Sequence, residues 1–186
     1  MGSALPSSDG HIFLKQGRPI GRQRRRQEEL NLASRDLVGR CGLYCGTCSI
    51  YRAYKDKGEY LKLVSEQSKC PPEKVRCEGC TALTPECWGS GCKIVQCLKE
   101  KSLEFCYECP EYVARSCEKY EKLAGGYLEK GEDMRANLER IRIGQTEEWL
   151  KECEKLYRCR ACGRPLPLGR IKKTCYHCGT DLSQKA

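Results

Sequence analysis

The sequence predicts a small α+β protein that is α-rich and held together at cysteines rather than by a large apolar core. Three observations predict it. Twelve of the 17 cysteines fall between Cys41 and Cys117, and four of the other five form two C-x-x-C pairs near the C-terminus. Between and after them, apolar residues recur at helical spacing. The hydrophobic fraction of 39% includes the cysteines, and only about 30% remains without them, a thin supply for a self-sufficient core.

Compartment and spacing favour metal over disulfides. The cysteine count is odd, and C-x-x-C pairs suit a tetrahedral ion better than a structural bridge. No apolar run near the N-terminus has the length of a signal peptide, and no segment is apolar enough to span a membrane, so a cytoplasmic location is expected. The net charge of +9 sits at the two ends, residues 1–40 and 157–186, with the middle near neutrality. Four thiolates leave a zinc site at about −2, so three such sites would lower the total to about +3. The local basic excess therefore carries more weight than the total.

In chain order, residues 1–37 read as a disordered basic tail around Arg22, Arg24, Arg25 and Arg26, either solvated or in contact with phosphates. Gln27-Glu-Glu-Leu-Asn31 follows this run, where a twin-arginine export signal needs an apolar stretch. Residues 38–124 form the cysteine-rich metal-binding domain. Tyr51, Tyr54, Leu61 and Val64 place helix over 48–67, split at Gly58 and stopped by Pro71-Pro72. A short helix over 93–101 carries Cys97. Pro110 starts another with Val113, Cys117, Tyr120 and Ala124 on one face, ended by Gly125-Gly126. Residues 125–157 are a helical connector with two stripes: Met134, Leu138 and Ile141, then Trp149, Cys153 and Leu156 behind a Thr146 N-cap. Cys153 is expected to be a buried free thiol.

Residues 158–186 carry Cys159-Arg-Ala-Cys162-Gly and Cys175-Tyr-His-Cys178-Gly. Each turn sets two sulfurs on one edge of a tetrahedron, and the following Gly relieves the backbone where the turn closes. A hairpin through Pro165–Gly169 would oppose the pairs, a pattern similar to a β zinc ribbon. Two matched pairs without a βαβ pattern argue against a redox dithiol. His177 is expected to be an exposed knuckle residue and no ligand. Arg158, Arg160, Arg164, Arg170, Lys172 and Lys173 make the module basic, as a solvated face or a phosphate-contacting one.

In the central cluster, Cys41-x₃-Cys45-x₂-Cys48 has the spacing with which radical S-adenosylmethionine enzymes hold an iron–sulfur cluster. Thr47 replaces the aromatic residue usual before their third cysteine, and no alternation of strands and helices follows. The stretch from about 38 to 120 more closely resembles the cysteine-rich domain of unknown function 3795 family. The resemblance is carried by Cys41-Gly-Leu-Tyr-Cys45-Gly-Thr-Cys48, Cys77-Glu-Gly-Cys80, Cys92-Lys-Ile-Val-Gln-Cys97 and Phe105-Cys106-Tyr-Glu-Cys109-Pro110. It implies a small metal-binding domain found mostly in bacteria and archaea, with no reaction attached. Val113-Ala-Arg-Ser116 interrupts the family's closing segment before Cys117, so the roles of Cys117, Cys70 and Cys87 stay open.

The candidate ligands are thus Cys41, Cys45, Cys48, Cys77, Cys80, Cys92, Cys97, Cys106, Cys109, Cys117, Cys159, Cys162, Cys175 and Cys178. Zinc is the expected metal, with an iron–sulfur cluster in the central domain as the alternative, since both accept four thiolates. With two histidines and no glycine-rich phosphate loop, no catalytic constellation and no small-molecule substrate are expected. The reading is a metal-dependent binding or scaffolding module for a protein or nucleic-acid partner. The alternative is an iron–sulfur electron carrier or redox sensor.

Overall fold

A computed structural model describes residues 35–168 and 173–183, together with Met1. The expected basic tail lies almost wholly outside the described residues, as do Arg170 and Lys172. Seven α-helices order the described chain: α1 Ser49–Asp56, α2 Gly58–Ser68, α3 Lys93–Glu100, α4 Pro110–Val113, α5 Glu118–Leu128, α6 Met134–Arg142 and α7 Thr146–Leu156.

Gly58 does separate α1 from α2. The break is sharp because Lys57 and Gly58 both take positive φ, which a continuing helix cannot accommodate. The α2 C-terminus closes through left-handed Lys69 and a bond from the Cys70 N–H to the Ser65 carbonyl (3.1 Å), ahead of Pro71-Pro72. These two helices bury Ala53, Tyr60 and Val64 with Val75 in a small core of their own. The larger core joins residues from both ends of the helical region: Val38, Tyr44, Ile94, Leu98, Tyr120, Leu138, Trp149 and Leu150 are all buried in it. Burial of such side chains is worth about 1.5–3 kcal/mol each. The helices of 125–157 are therefore part of the wall behind the cysteines.

Several expectations change. The α+β assignment with a C-terminal β ribbon is overturned: the described residues form no strand or sheet, only the isolated bridges Val38↔Tyr44, Arg158↔Pro165 and Thr174↔Asp181. The bonds from the Cys159 N–H to the Arg164 carbonyl and from the Leu166 N–H to the Tyr157 carbonyl, both at 2.8 Å, make one rung. It goes no further because Tyr157 follows directly on α7 and the Leu168 N–H, the next donor on that edge, turns to the Thr47 carbonyl. Gly125-Gly126 does not end a helix either. Helix α5 runs through both glycines to Leu128, and the chain turns at Gly131 (φ +83°). The expected 110–124 helix is instead broken upstream, where Arg115 takes φ +56° and the Ser116 N–H bonds the Glu111 carbonyl (2.9 Å). Val113 is consequently exposed.

In the last two helices, Met134, Leu138 and Ile141 are buried as expected. The cap of α6 is Asp133, whose carboxylate accepts from the N–H groups of Arg135 and Ala136, both at 3.0 Å. Thr146 lies inside α7 rather than capping it, and Leu150 takes the buried place expected for Leu156. Cys153 is a buried free thiol, as expected.

Candidate metal centres

The C-terminal centre is two copies of one turn. The Gly163 N–H donates to the Cys159 carbonyl and the Gly179 N–H to the Cys175 carbonyl, both at 2.8 Å. Both glycines have φ between +69° and +76°. Each turn is sealed by a bond from its first cysteine N–H, to the Arg164 and the Thr180 carbonyl respectively, again at 2.8 Å. The four sulfurs of Cys159, Cys162, Cys175 and Cys178 all lie within 4.8 Å of one another. Across the turns, Cys159 and Cys178 are 3.8 Å apart and Cys162 and Cys175 are 3.9 Å apart. Thiolates at about 2.3 Å from one zinc ion stand about 3.8 Å apart on a tetrahedron's edge, so the donor set fits such an ion.

Two of the four thiols, Cys159 and Cys178, are held below their ordinary value and two, Cys162 and Cys175, above it. The Cys162 N–H pulls the Cys159 thiol below its ordinary value, and bonding from Thr180 does the same for Cys178. Burial pushes Cys175 up to about 12. Four adjacent thiols cannot all ionise without a positive charge among them, which a metal ion would supply.

This module is docked on the helices. Tyr176 stacks on Tyr60 with ring centroids 3.9 Å apart and donates to Asp56 Oδ2 at 2.5 Å. The Leu168 N–H donates to the Thr47 carbonyl at 2.9 Å, between two central cysteines. His177 differs from expectation. Its side chain is only 8% exposed, wedged with Nε2 3.3 Å from the Pro165 carbonyl and 3.8 Å from Asp56 Oδ2. It still supplies no ligand to the quartet. Tyr176 and Asp56 escaped the sequence reading, since no spacing links residues 120 positions apart.

The central cysteines are set by a repeated local construction. A 3₁₀ turn over Cys45–Thr47 leads to Cys48 at the N-cap of α1, and one over Cys106–Glu108 leads to Cys109 at the N-cap of α4. The turn over Trp88–Gly91 similarly leads to Cys92 at the N-cap of α3. Cys117 caps α5.

Three bonds clamp the first loop. The Cys106 N–H donates to the Arg40 carbonyl (3.0 Å), Tyr120 to that of Cys41 (3.2 Å) and Asn137 to that of Gly42 (3.0 Å). Gly42 is required here: its φ is +89°, and a Cβ would stand 2.2 Å from the Met134 carbonyl oxygen.

Six of the ten central candidates, Cys41, Cys45, Cys48, Cys77, Cys80 and Cys92, line one cavity of about 390 Å³. Burial pushes the Cys41 thiol up to about 12. Cys45 is held above its ordinary value and Cys80 below it, by the hydrogen bond that the Cys45 thiol gives to the Cys80 sulfur. The other four gather behind: Cys106 is pushed up by burial and by its neighbours Cys41, Cys117, Cys109 and Cys97. The Lys101 ammonium lies 3.5 Å from the Cys109 sulfur. Cys87 is buried beside Thr84, and Cys70 lies outside the cavity, its sulfur facing the Pro71 carbonyl.

Beside the cavity, sharing Cys92, Leu123 and Tyr127 with it, is an open groove of about 520 Å³ lined by Lys93, Lys119, Lys122 and Lys130.

Part of the chain is similar to a known family. Residues 37–122 match the family model described as Protein of unknown function (DUF3795). The match covers the resemblance seen in the sequence, from the residue before Val38 to the middle of α5, and leaves the C-terminal quartet outside. No curated protein and no solved structure matches the chain. Among the described residues no helix is long and apolar enough to cross a membrane.

Proposed function

We propose that the protein is a zinc-dependent docking module, with one zinc ion in the quartet of Cys159, Cys162, Cys175 and Cys178. The observation that carries this is the mutual approach of the four sulfurs within 4.8 Å. A closed set of four thiolates leaves no open position for substrate, so the ion is structural. Loading it holds Tyr176 and His177, which lie between two ligands, in the shape that meets Tyr60 and Asp56. The ten central candidates bind further metal, and a cytosolic setting keeps all these thiols reduced. Metal-binding free energy then becomes folding free energy.

The partner is anionic, a nucleic acid or an acidic protein surface, received by the lysine-lined groove and by the arginines around the C-terminal turns. Zinc content is the first test. The reading expects zinc in the purified chain, its loss from Cys162→Ser, and collapse of the cooperative thermal transition once a strong chelator has removed all metal. A demetallated chain that keeps that transition would refute it. A steep fall of RNA or DNA binding with salt would identify phosphate contacts, whereas binding to neither directs the groove to an acidic protein.

A further inference from the structure

The two thiol centres differ in a way that discriminates their contents. At the C-terminus four sulfurs have closed to single-ion distances, 3.8 and 3.9 Å across the turns. Among the described residues this is the sole group of three or more such ligand atoms so close together. Apart from the hydrogen-bonded pair Cys45 and Cys80, the central thiols stand around open space of about 390 Å³, a volume in the range of pockets that hold many-atom ligands. A tetrahedral zinc site has no interior to spare, because its ligands touch. An iron–sulfur cluster is a many-atom body whose terminal thiolates stand farther apart than those around one ion.

The walls suit such a body. Two cavity cysteines, Cys48 and Cys92, cap eight-residue helices, α1 and α3, whose positive ends offset the net negative charge of a thiolate-ligated cluster. Ile50, Leu83, Val95 and Leu123 supply an apolar lining, which shields a cluster from water and sets its potential. Cys41, Cys45 and Cys48 come from one loop with the C-x₃-C-x₂-C spacing, while Cys77, Cys80 and Cys92 arrive from the facing loops. More than the four thiolates required are present.

We infer that this cavity holds an iron–sulfur cluster of the [4Fe–4S] type, ligated by four of its six thiolates, with Cys45 among them. The assignment rests on the reading that the central thiols bind metal, and it names the metal.

The test uses the full chain, purified without oxygen and reconstituted with ferric iron, a thiol reductant that brings part of it to the ferrous state, and sulfide, then assayed for iron, acid-labile sulfide, zinc and Mössbauer spectrum. About four irons and four sulfides per chain are expected, with the spectrum of a cubane cluster and a broad visible absorption. Cys45→Ser should lose the iron and sulfide while keeping the C-terminal zinc; Cys162→Ser should do the reverse. Zinc in the central thiols with no uptake of iron or sulfide would overturn the cluster but leave the metal-binding reading intact. Absence of any metal beyond the C-terminal zinc would overturn both for this domain. Iron kept by Cys45→Ser but lost from Cys106→Ser would move the cluster out of the cavity and overturn the assignment. Should Cys45→Ser fail to fold, the wild-type Mössbauer spectrum and Cys92→Ser, altered at the exposed rim, decide between the same outcomes.

Discussion

The contact between the Tyr176 hydroxyl and Asp56 joins the C-terminal turns to α1, and its removal is predicted to loosen that joint measurably. Tyr176→Phe keeps the ring stacked on Tyr60 and deletes only the donor. A hydrogen bond to a charged group contributes about 1.5–3 kcal/mol. Asp56 is 19% exposed and has Arg52 within 4.0 Å, so water and the guanidinium take up part of the loss. The lower half of that range, about 1.5–2 kcal/mol, is expected. For a chain of this size 1 kcal/mol moves the melting temperature by about 2–4 °C, giving a fall of about 3–8 °C in the metal-loaded protein. A double-mutant cycle with Asp56→Asn isolates the pair. A coupling energy below about 0.3 kcal/mol, the level at which unrelated sites add, would refute the joint. Tyr176→Ala should lose about 0.5–1.5 kcal/mol more, from the stack.

Other expectations follow from the helices and from Cys153. Gly125→Ala should stabilise the protein by about 0.8–1 kcal/mol in a denaturant titration, because Gly125 lies inside α5 with nothing within 4 Å of the added Cβ; destabilisation would mean that the helix stops there. Asp133→Ala should cost about 1 kcal/mol and Asp133→Asn much less, the signature of a lost N-cap, read by circular dichroism melts. Burial, reinforced by Glu132, pushes the Cys153 thiol from 9.0 up to about 12. Between those two values the unfolded chain releases a proton that the folded chain retains, so this residue's contribution to stability falls as pH rises. Comparing the pH dependence of stability in wild type and Cys153→Ala isolates that slope, and iodoacetamide at pH about 8 should label Cys153 only after unfolding.

Thiol turns and helix stripes were legible in the sequence because both are local. A C-x-x-C pair carries its own turn, and Met134, Leu138 and Ile141 announce one face without reference to anything distant. Gly58 was legible for the same reason. The break at Arg115 was not, since arginine has no preference for the left-handed region and the turn is imposed by its surroundings. That break turned Cys117 from a member of a helical stripe into the cap of α5. The expected ribbon strands failed because α7 keeps the chain helical up to Leu156 and the Leu168 N–H turns to the Thr47 carbonyl, neither of which the cysteine spacing records. The grouping of central thiols into six and four was beyond reach, because it is made by tertiary approach of loops from Cys41 to Cys117.

The bond from Leu168 to the Thr47 carbonyl also has a consequence for the newly made chain. The loop of Cys45 and Cys48 leaves the ribosome long before the segment that braces it, and Tyr176 follows Asp56 by 120 residues. At about 5–20 residues per second that interval is roughly 6–24 s. Throughout it, the first thiols wait without their brace, open to any passing ion or oxidant. If these thiols take up metal as proposed, its delivery is a race run during translation, and a slow stretch of message between the two segments would lengthen the exposure.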